Sequence, residues 1–210
     1  MGLLLLEIVS ESGRTLGVAY YRRCYPKVNR AKELIAEGAI GRPVFAMATA
    51  HSWSDFADGE RAWLANPAMA GGGPLYDVGS HRIDLMNYLF GAPARVTGQR
   101  STTVQRVPVE DNATVLIEYE NGVRAMVDVR WHSRVTRDEF LIRGTDGEME
   151  LSPLNGPSID YPGGREELSP HSNLHFPCVQ NFVGAVLEGE PLRSTAATAM
   201  LTDWVTERAL

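Results

Sequence analysis

The chain lacks most of the patterns that announce a chemistry. No G-x-G-x-x-G turn occurs in its 210 residues, so the usual cradle for a dinucleotide pyrophosphate is missing. There is no H-E-x-x-H, no cysteine pair at metal spacing and no G-x-S-x-G. A metalloprotease-type site and a nucleophile elbow are therefore not signalled. The two cysteines, Cys24 and Cys178, are far apart in the chain; they make no disulfide framework and read as two reduced thiols. Lysine and arginine form no run, and the net charge of −6 argues against a nucleic-acid surface. The apolar opening, MGLLLLEIV, is too short to span a bilayer and lacks the basic flank and cleavage site of a signal peptide. Gly2 could open a myristoylation signal, but Leu6 stands where serine or threonine is needed. The expectation is a cytoplasmic protein with neither a membrane nor a nucleic-acid partner.

What is present is ordinary globular composition, 44% hydrophobic and 22% charged, enough for one good core. Residues 3–11 read as a helix and 16–21 as a short covered strand. Pro26 opens a helix through Glu37, capped by Gly38, and 42–52 read as a second strand. Residues 53–70 form a loop carrying Trp53, Phe56, Trp63 and Pro67. After Gly91 the period becomes two. Residues 94–104 are a candidate strand. The stretch 113–131 alternates cleanly on both sides of Asn121-Gly122, read as a two-residue turn with positive φ at both positions. Residues 139–151 read as a further pair turning at Asp146-Gly147. Residues 152–170 read as loop, followed by a helix from His175 to Glu188 with Phe182, Val183, Val186 and Leu187 on its apolar side. A last helix starts near Ser194 or Thr195, with Met200, Leu201, Trp204 and Val205 inward. Helices segregated from a mainly antiparallel sheet make this an α+β chain.

The most chemical stretch is GGGPLYDVGSHRIDLMNYLFG, from Gly71 to Gly91. Asp77 and His81 are four apart and so share a helix face behind a glycine run, with Asp84 three further on. Imidazole has a pKa suited to moving a hydroxyl proton, and a carboxylate one turn away can orient it. Glycines allow a close backbone approach to a ligand. The structural alternative is a capping carboxylate beside a satisfied buried histidine. Asp84 reads first as structural. Trp63 and Trp53 could line a sugar pocket or anchor their loop. Arg22 and Arg23 face a cleft in one case and solvent in the other. Five histidines (His51, His81, His132, His171, His175) supply no metal pattern, and no metal is expected.

The segments GVAYYRRCYP (17–26), AKELIAEGAIGRPV (31–44), the tryptophan loop and the Gly71–Gly91 element together resemble the C-terminal domain of the Gfo/Idh/MocA oxidoreductases. The resemblance implies an open, mainly antiparallel sheet with helices on one face, similar to the C-terminal domain of dihydrodipicolinate reductase. It implies residues 1–15 as the remnant of a helix linking to a Rossmann domain, and 16–210 as the substrate-binding and oligomerisation domain. The family's full-length members use NAD or NADP to oxidise the CH–OH group of a sugar or polyol. By the motif match, His81 is the implied general base or acid and Asp77 its orienting neighbour. Arg22, Trp63 and Asp84 are the implied substrate contacts. The open sheet is the implied homo-oligomer interface. The family's E-K-P segment is absent here, as is the glycine-rich turn, so tight cofactor binding and turnover by this chain alone are not expected. A non-catalytic sugar-binding or assembly module is the alternative reading.

Overall fold

The computed structural model describes residues 7–9, 11–56 and 60–209. Residues 7–9 and 11–12 are helical; the rest of the expected 3–11 helix lies outside the described residues. Helix α1 (Pro26–Ala36) starts on a proline whose missing N–H is not needed there. It stops at Gly38, with φ of 76°, where the Ala39 amide reaches back to the Leu34 carbonyl. Strand β1 (Pro43–Trp53) follows. A short 3-10 turn (Ala62–Ala65) and the single-turn helix α2 (Pro67–Ala70) occupy the aromatic loop. Then come a π-turn, Leu75–Gly79, and helix α3 (Ser80–Phe90).

The remaining strands are β2 (Pro93–Ser101), β3 (Asn112–Tyr119), β4 (Arg124–Arg130), β5 (His132–Gly144), β6 (Glu148–Glu150), β7 (Ser158–Tyr161) and β8 (Gly164–Glu167). Helices α4 (Phe176–Leu187) and α5 (Ala196–Arg208) close the chain, and the Thr195 hydroxyl caps α5 by accepting from the Thr198 amide. One sheet of eight strands results, in the order β2-β3-β4-β1-β5-β6-β7-β8. Strand β1 inserts between β4 and β5, parallel to the first and antiparallel to the second. All other neighbours are antiparallel.

Period-two alternation decides which face is covered. Ala46, Ala48, Ala50, Val115, Ile117, Val127, Val129, Phe140 and Ile142 point one way and are buried. Against them lies α3, whose Ile83, Leu85 and Met86 are fully buried. Helix α5 packs on α3 and β2, so α3 has neighbours on two sides. That explains why Arg82, Asp84 and Asn87 on this helix are buried as well. Each finds partners: Asn87 accepts from the Tyr119 hydroxyl at 2.9 Å, and Asp84 accepts from Arg23 Nε at 2.8 Å and from its Nη2. Arg23 also donates to the Arg193 carbonyl and to Thr198 Oγ1.

Five expectations are corrected. Residues 16–21 are not a strand: Gly17 makes one bridge to Thr195, and Tyr21–Cys24 is a 3-10 turn. Their apolar side chains pack beside α4 and α5 rather than in the sheet. Residues 152–170 contain the hairpin β7–β8, whose signal of one buried isoleucine, Ile159, is hidden among turn residues. The turn at Asn121-Gly122 has positive φ at Gly122 only. The Gly122 amide bonds the Tyr119 carbonyl and the Tyr119 amide bonds the Val123 carbonyl, a three-residue loop ending in a glycine bulge. Finally, of the residues expected inward on α5 only Val205 is buried, Met200, Leu201 and Trp204 being half-buried; the apolar side of α4 is left open, with Val183, Val186 and Leu187 exposed.

Replacing Asp84 by alanine leaves the Arg23 guanidinium buried without its counter-charge. Urea unfolding of Asp84→Ala should show a loss of about 3–5 kcal/mol, against less than about 1 kcal/mol for removing the exposed Glu148 partner of Arg143.

Candidate active site

The chain reaches α3 through Gly71–Gly73, Pro74 and the π-turn, in which the Gly79 amide bonds the Pro74 carbonyl five residues back. Single π-turns recur at functional sites because they re-aim side chains. Asp77 lies in this turn and His81 at the second position of α3. Both line one cavity of about 210 Å³, together with Trp63, Tyr76 and Ser80. Trp63 arrives from the 3-10 turn of the aromatic loop, 47% exposed, so its ring is available to a ligand.

His81 is enclosed by aromatic rings. Tyr20 meets it edge-on at 5.5 Å and Tyr21 at 5.3 Å, and Tyr21 in turn packs at a tilt against His175, just before α4, with ring centres 4.1 Å apart. Burial pushes the imidazole down to about 3, and the nearby charges of Arg22, Arg82 and His175 add to it. The ring is therefore neutral at neutral pH. Burial raises the Asp77 carboxyl above the ordinary aspartate value, against the pull of Arg61, Arg82 and Arg22. Asp77 Oδ2 accepts from the exposed Arg61 at 3.1 Å. Among the described residues no hydrogen bond joins Asp77 to His81. The wide π-turn changes the angle between these positions from that of a regular helix, and Arg61 takes the carboxylate from the loop side.

Three buried nitrogens here have no hydrogen-bond partner among the described residues: Arg22 Nη1, His81 Nδ1 and Arg82 Nε. Their other atoms are held. Arg22 Nε donates to Asn155 at 3.2 Å, and Arg82 is paired with Asp138 at 2.9 Å. Buried polar atoms are rarely left unpaired, so one on the imidazole and one on each flanking arginine mark a place where hydroxyls or water belong.

The other candidates fall elsewhere. Both oxygens of Asp84 are taken by Arg23, and its side chain is 1% exposed, so it ties elements together rather than facing the cavity. Arg22 stands behind His81, its guanidinium over the Tyr21 ring, and is not on the cavity wall. Trp53 stacks on Arg134 at the far end of β1. Ser80 donates to the Asp77 carbonyl. His171 accepts from the Asn173 amide at 3.0 Å and stacks on Phe176, and no group able to hold a metal ion is found among the described residues. Sequence reasoning missed Tyr20, Tyr21, Arg82, Asp138 and His175. Arg82, beside His81, and Tyr21, beside Arg22, had a positional cue.

The glycine run is packed from within. A Cβ on Gly73 would lie 1.9 Å from the Glu110 carbonyl oxygen, and one on Gly72 would meet the Tyr76 ring at 2.2 Å. Gly73 admits the protein's own backbone, whereas Gly72, tight against Tyr76, also lines the cavity of Asp77 and His81. The loop therefore does not fit a dinucleotide pyrophosphate, and an acidic residue, Asp77, occupies the turn that follows.

The GFO/IDH/MocA C-terminal domain matches residues 28–150, more than half of the chain. The chain belongs to this family. It is 28% identical over 135 residues to the D-apiose dehydrogenase of Paraburkholderia graminis, covering 62% of this chain and 35% of the relative. To the D-xylose 1-dehydrogenase [NADP(+)] of Haloarcula marismortui it is 26% identical over 161 residues, covering 74% and 44%. An oxidoreductase from Thermotoga maritima superposes with a TM-score of 0.86 at 22% identity, covering 99% of this chain and 63% of that one. At that identity the likeness concerns the fold. The chain thus spans about a third to a half of the length of these curated relatives. No helix among the described residues is long and apolar enough to cross a membrane.

The His81 environment has a pH consequence. Below about 6.5 the unfolded chain takes up a proton at this histidine, whereas the folded one does so only near 3. Stability therefore falls as pH drops through that window. His81→Gln should flatten the acid limb by about 1 kcal/mol per pH unit between pH 6 and 4, read as urea midpoints. The further loss from about pH 4 down to about 2, set by Asp111 and Asp128, should remain.

Proposed function

We propose that this chain, over residues 16–210, is the substrate-side domain of an NAD(P)-dependent oxidoreductase acting on the CH–OH group of a sugar or polyol. The observation that carries the reading is the cavity shared by Trp63, Asp77 and His81, backed by the unpartnered His81 Nδ1. The sugar dehydrogenases among its relatives support the substrate class.

Oxidising an alcohol removes a hydride from carbon and a proton from oxygen. The nicotinamide of the family's complete enzymes supplies the hydride acceptor. This chain's residues serve the proton. His81 is kept neutral beforehand by burial and, after that, by the charges of Arg22 and Arg82, and it can receive the proton at a ring nitrogen. Asp77, on the same cavity wall, offsets the charge of the imidazolium as it forms. The Trp63 face suits the C–H side of a sugar ring. In the reverse direction the imidazolium returns the proton.

In a thermal-shift titration against aldoses, alditols and inositols, at least one compound should raise the melting temperature. Trp63→Ala and Asp77→Ala should each weaken that response by roughly tenfold, worth about 1.4 kcal/mol. A flat response across the panel would overturn the substrate class.

We also propose that the open face of the sheet pairs two copies. It carries the exposed Leu116 on β3 and Val135 on β5, ringed by the ion pairs Arg95–Glu118 and Arg137–Glu139. Light scattering should give an oligomer for the natural chain and a monomer for Leu116→Asp. A monomeric natural chain at high micromolar concentration would sink this reading.

A further inference from the structure

The cavity of Asp77 and His81 has a larger neighbour. Across the glycine run lies a second cavity of about 410 Å³, lined by Pro67, Gly71, Gly72, Arg100, Thr102 and Glu110 among others. Gly72 lines both cavities. At Gly71 and Gly72 the partition is main chain without side chains, a low saddle rather than a wall. The first cavity alone, at about 210 Å³, falls below the range of roughly 300–1,000 Å³ usual for small-molecule sites. Joined to its neighbour it falls within that range.

We propose that the two cavities form one site for a disaccharide or longer glycoside. The reacting ring lies at His81, and the neighbouring ring lies across Gly72 against Arg100 and Glu110. This rests on the sugar reading of the His81 site and extends it from a single ring to two.

Glu110 carries the argument. It is 6% exposed, yet it lines the second cavity. Its Oε1 accepts from the Leu75 amide at 3.4 Å. Its Oε2 makes no hydrogen bond among the described residues, and Arg100 Nη1 stands 3.9 Å away, beyond hydrogen-bond reach. A carboxylate so deeply buried needs a donor for its free oxygen. A hydroxyl placed between the two side chains donates to Glu110 and accepts from Arg100. The charges of the pair cancel, which suits a neutral, hydroxyl-bearing ring over a phosphate, a sulfate or an amine. Glu110 also ties this cavity to the first one. Its carbonyl fills the space beside Gly73, and its carboxylate holds Leu75, where the π-turn bearing Asp77 begins. Arg100, on β2, is exposed and free to turn toward a ligand.

The test is isothermal titration of the chain with D-glucose and D-xylose and with cellobiose, maltose and xylobiose. At least one disaccharide should bind roughly tenfold or more tighter than its own monosaccharide. Arg100→Met should remove that advantage. The side chain is exposed and the Glu110–Leu75 contact survives its loss, so the variant should melt where the natural chain does. Monosaccharides that bind as tightly as every disaccharide overturn the proposal and leave the sugar reading standing. A disaccharide advantage that survives Arg100→Met does the same. Absence of binding by all five sugars also overturns it, and the sugar reading falls with it only if the alditols and inositols fail as well.

Discussion

The buried pair between Arg23 and Asp84 holds the architecture of the site together. One guanidinium reaches the carboxylate on α3, the carbonyl of Arg193 and the hydroxyl of Thr198 at the start of α5. Three segments far apart in sequence are thus tied at one point inside the protein. A hydrophobic contact could hold them together, but it would not fix their rotation. The fork of a guanidinium on a carboxylate does. Because Arg22 precedes Arg23 and His81 lies three residues before Asp84, fixing the pair also sets Arg22 behind the imidazole. The structural ion pair and the unpaired nitrogens of the site are neighbours for that reason.

Polarity is divided in a consistent way around this knot. Asp84, Asn87 and Lys27 are buried with their partners made: Lys27 donates to the carbonyls of Leu151 and Pro153 at 2.8 and 2.7 Å. Arg22 and Arg82 are buried and His81 is half-buried, each with one buried nitrogen left over. A fully satisfied network gives rigidity, and a partly satisfied one asks for a further group. Within one short stretch of helix both kinds occur, separated by a single turn.

Much of the sheet was legible in the sequence because a strand covered on one face prints its geometry as alternation. Residues 113–131 did so without interference. The helix starting at Pro26 and its Gly38 stop were legible because proline and glycine there answer backbone needs. Legibility failed where tertiary packing overrode local pattern. The apolar run 16–21 resembles a strand, yet its tyrosines are wanted around His81. The glycine run looks like a ligand loop; Gly72 does line the cavity, but the atoms that need the run's space are the Glu110 carbonyl and the Tyr76 ring. Asp77 and His81 were found by spacing, and the structure brings them to one cavity with Trp63. Spacing could not foresee that Arg61 would take the carboxylate, or that Asp84 would be consumed by Arg23.

The position of β1 bears on how the protein comes to be folded. Strands β4 and β5 follow each other in the chain, yet they are not neighbours; β1, made some seventy residues or more earlier, lies between them. A nascent β2–β3–β4 unit and a β5–β8 unit can each form locally, but each then has a bare central edge. Only the arrival of residues 43–53 joins them. This is a long-range closure whose entropic cost precedes its reward, so the joining step is expected to be slow. Until it happens, the two half-sheets present the kind of unpaired edge that invites strands from other chains. The keystone strand thus supplies continuity in the finished sheet and, during assembly, the moment of greatest exposure to misassociation.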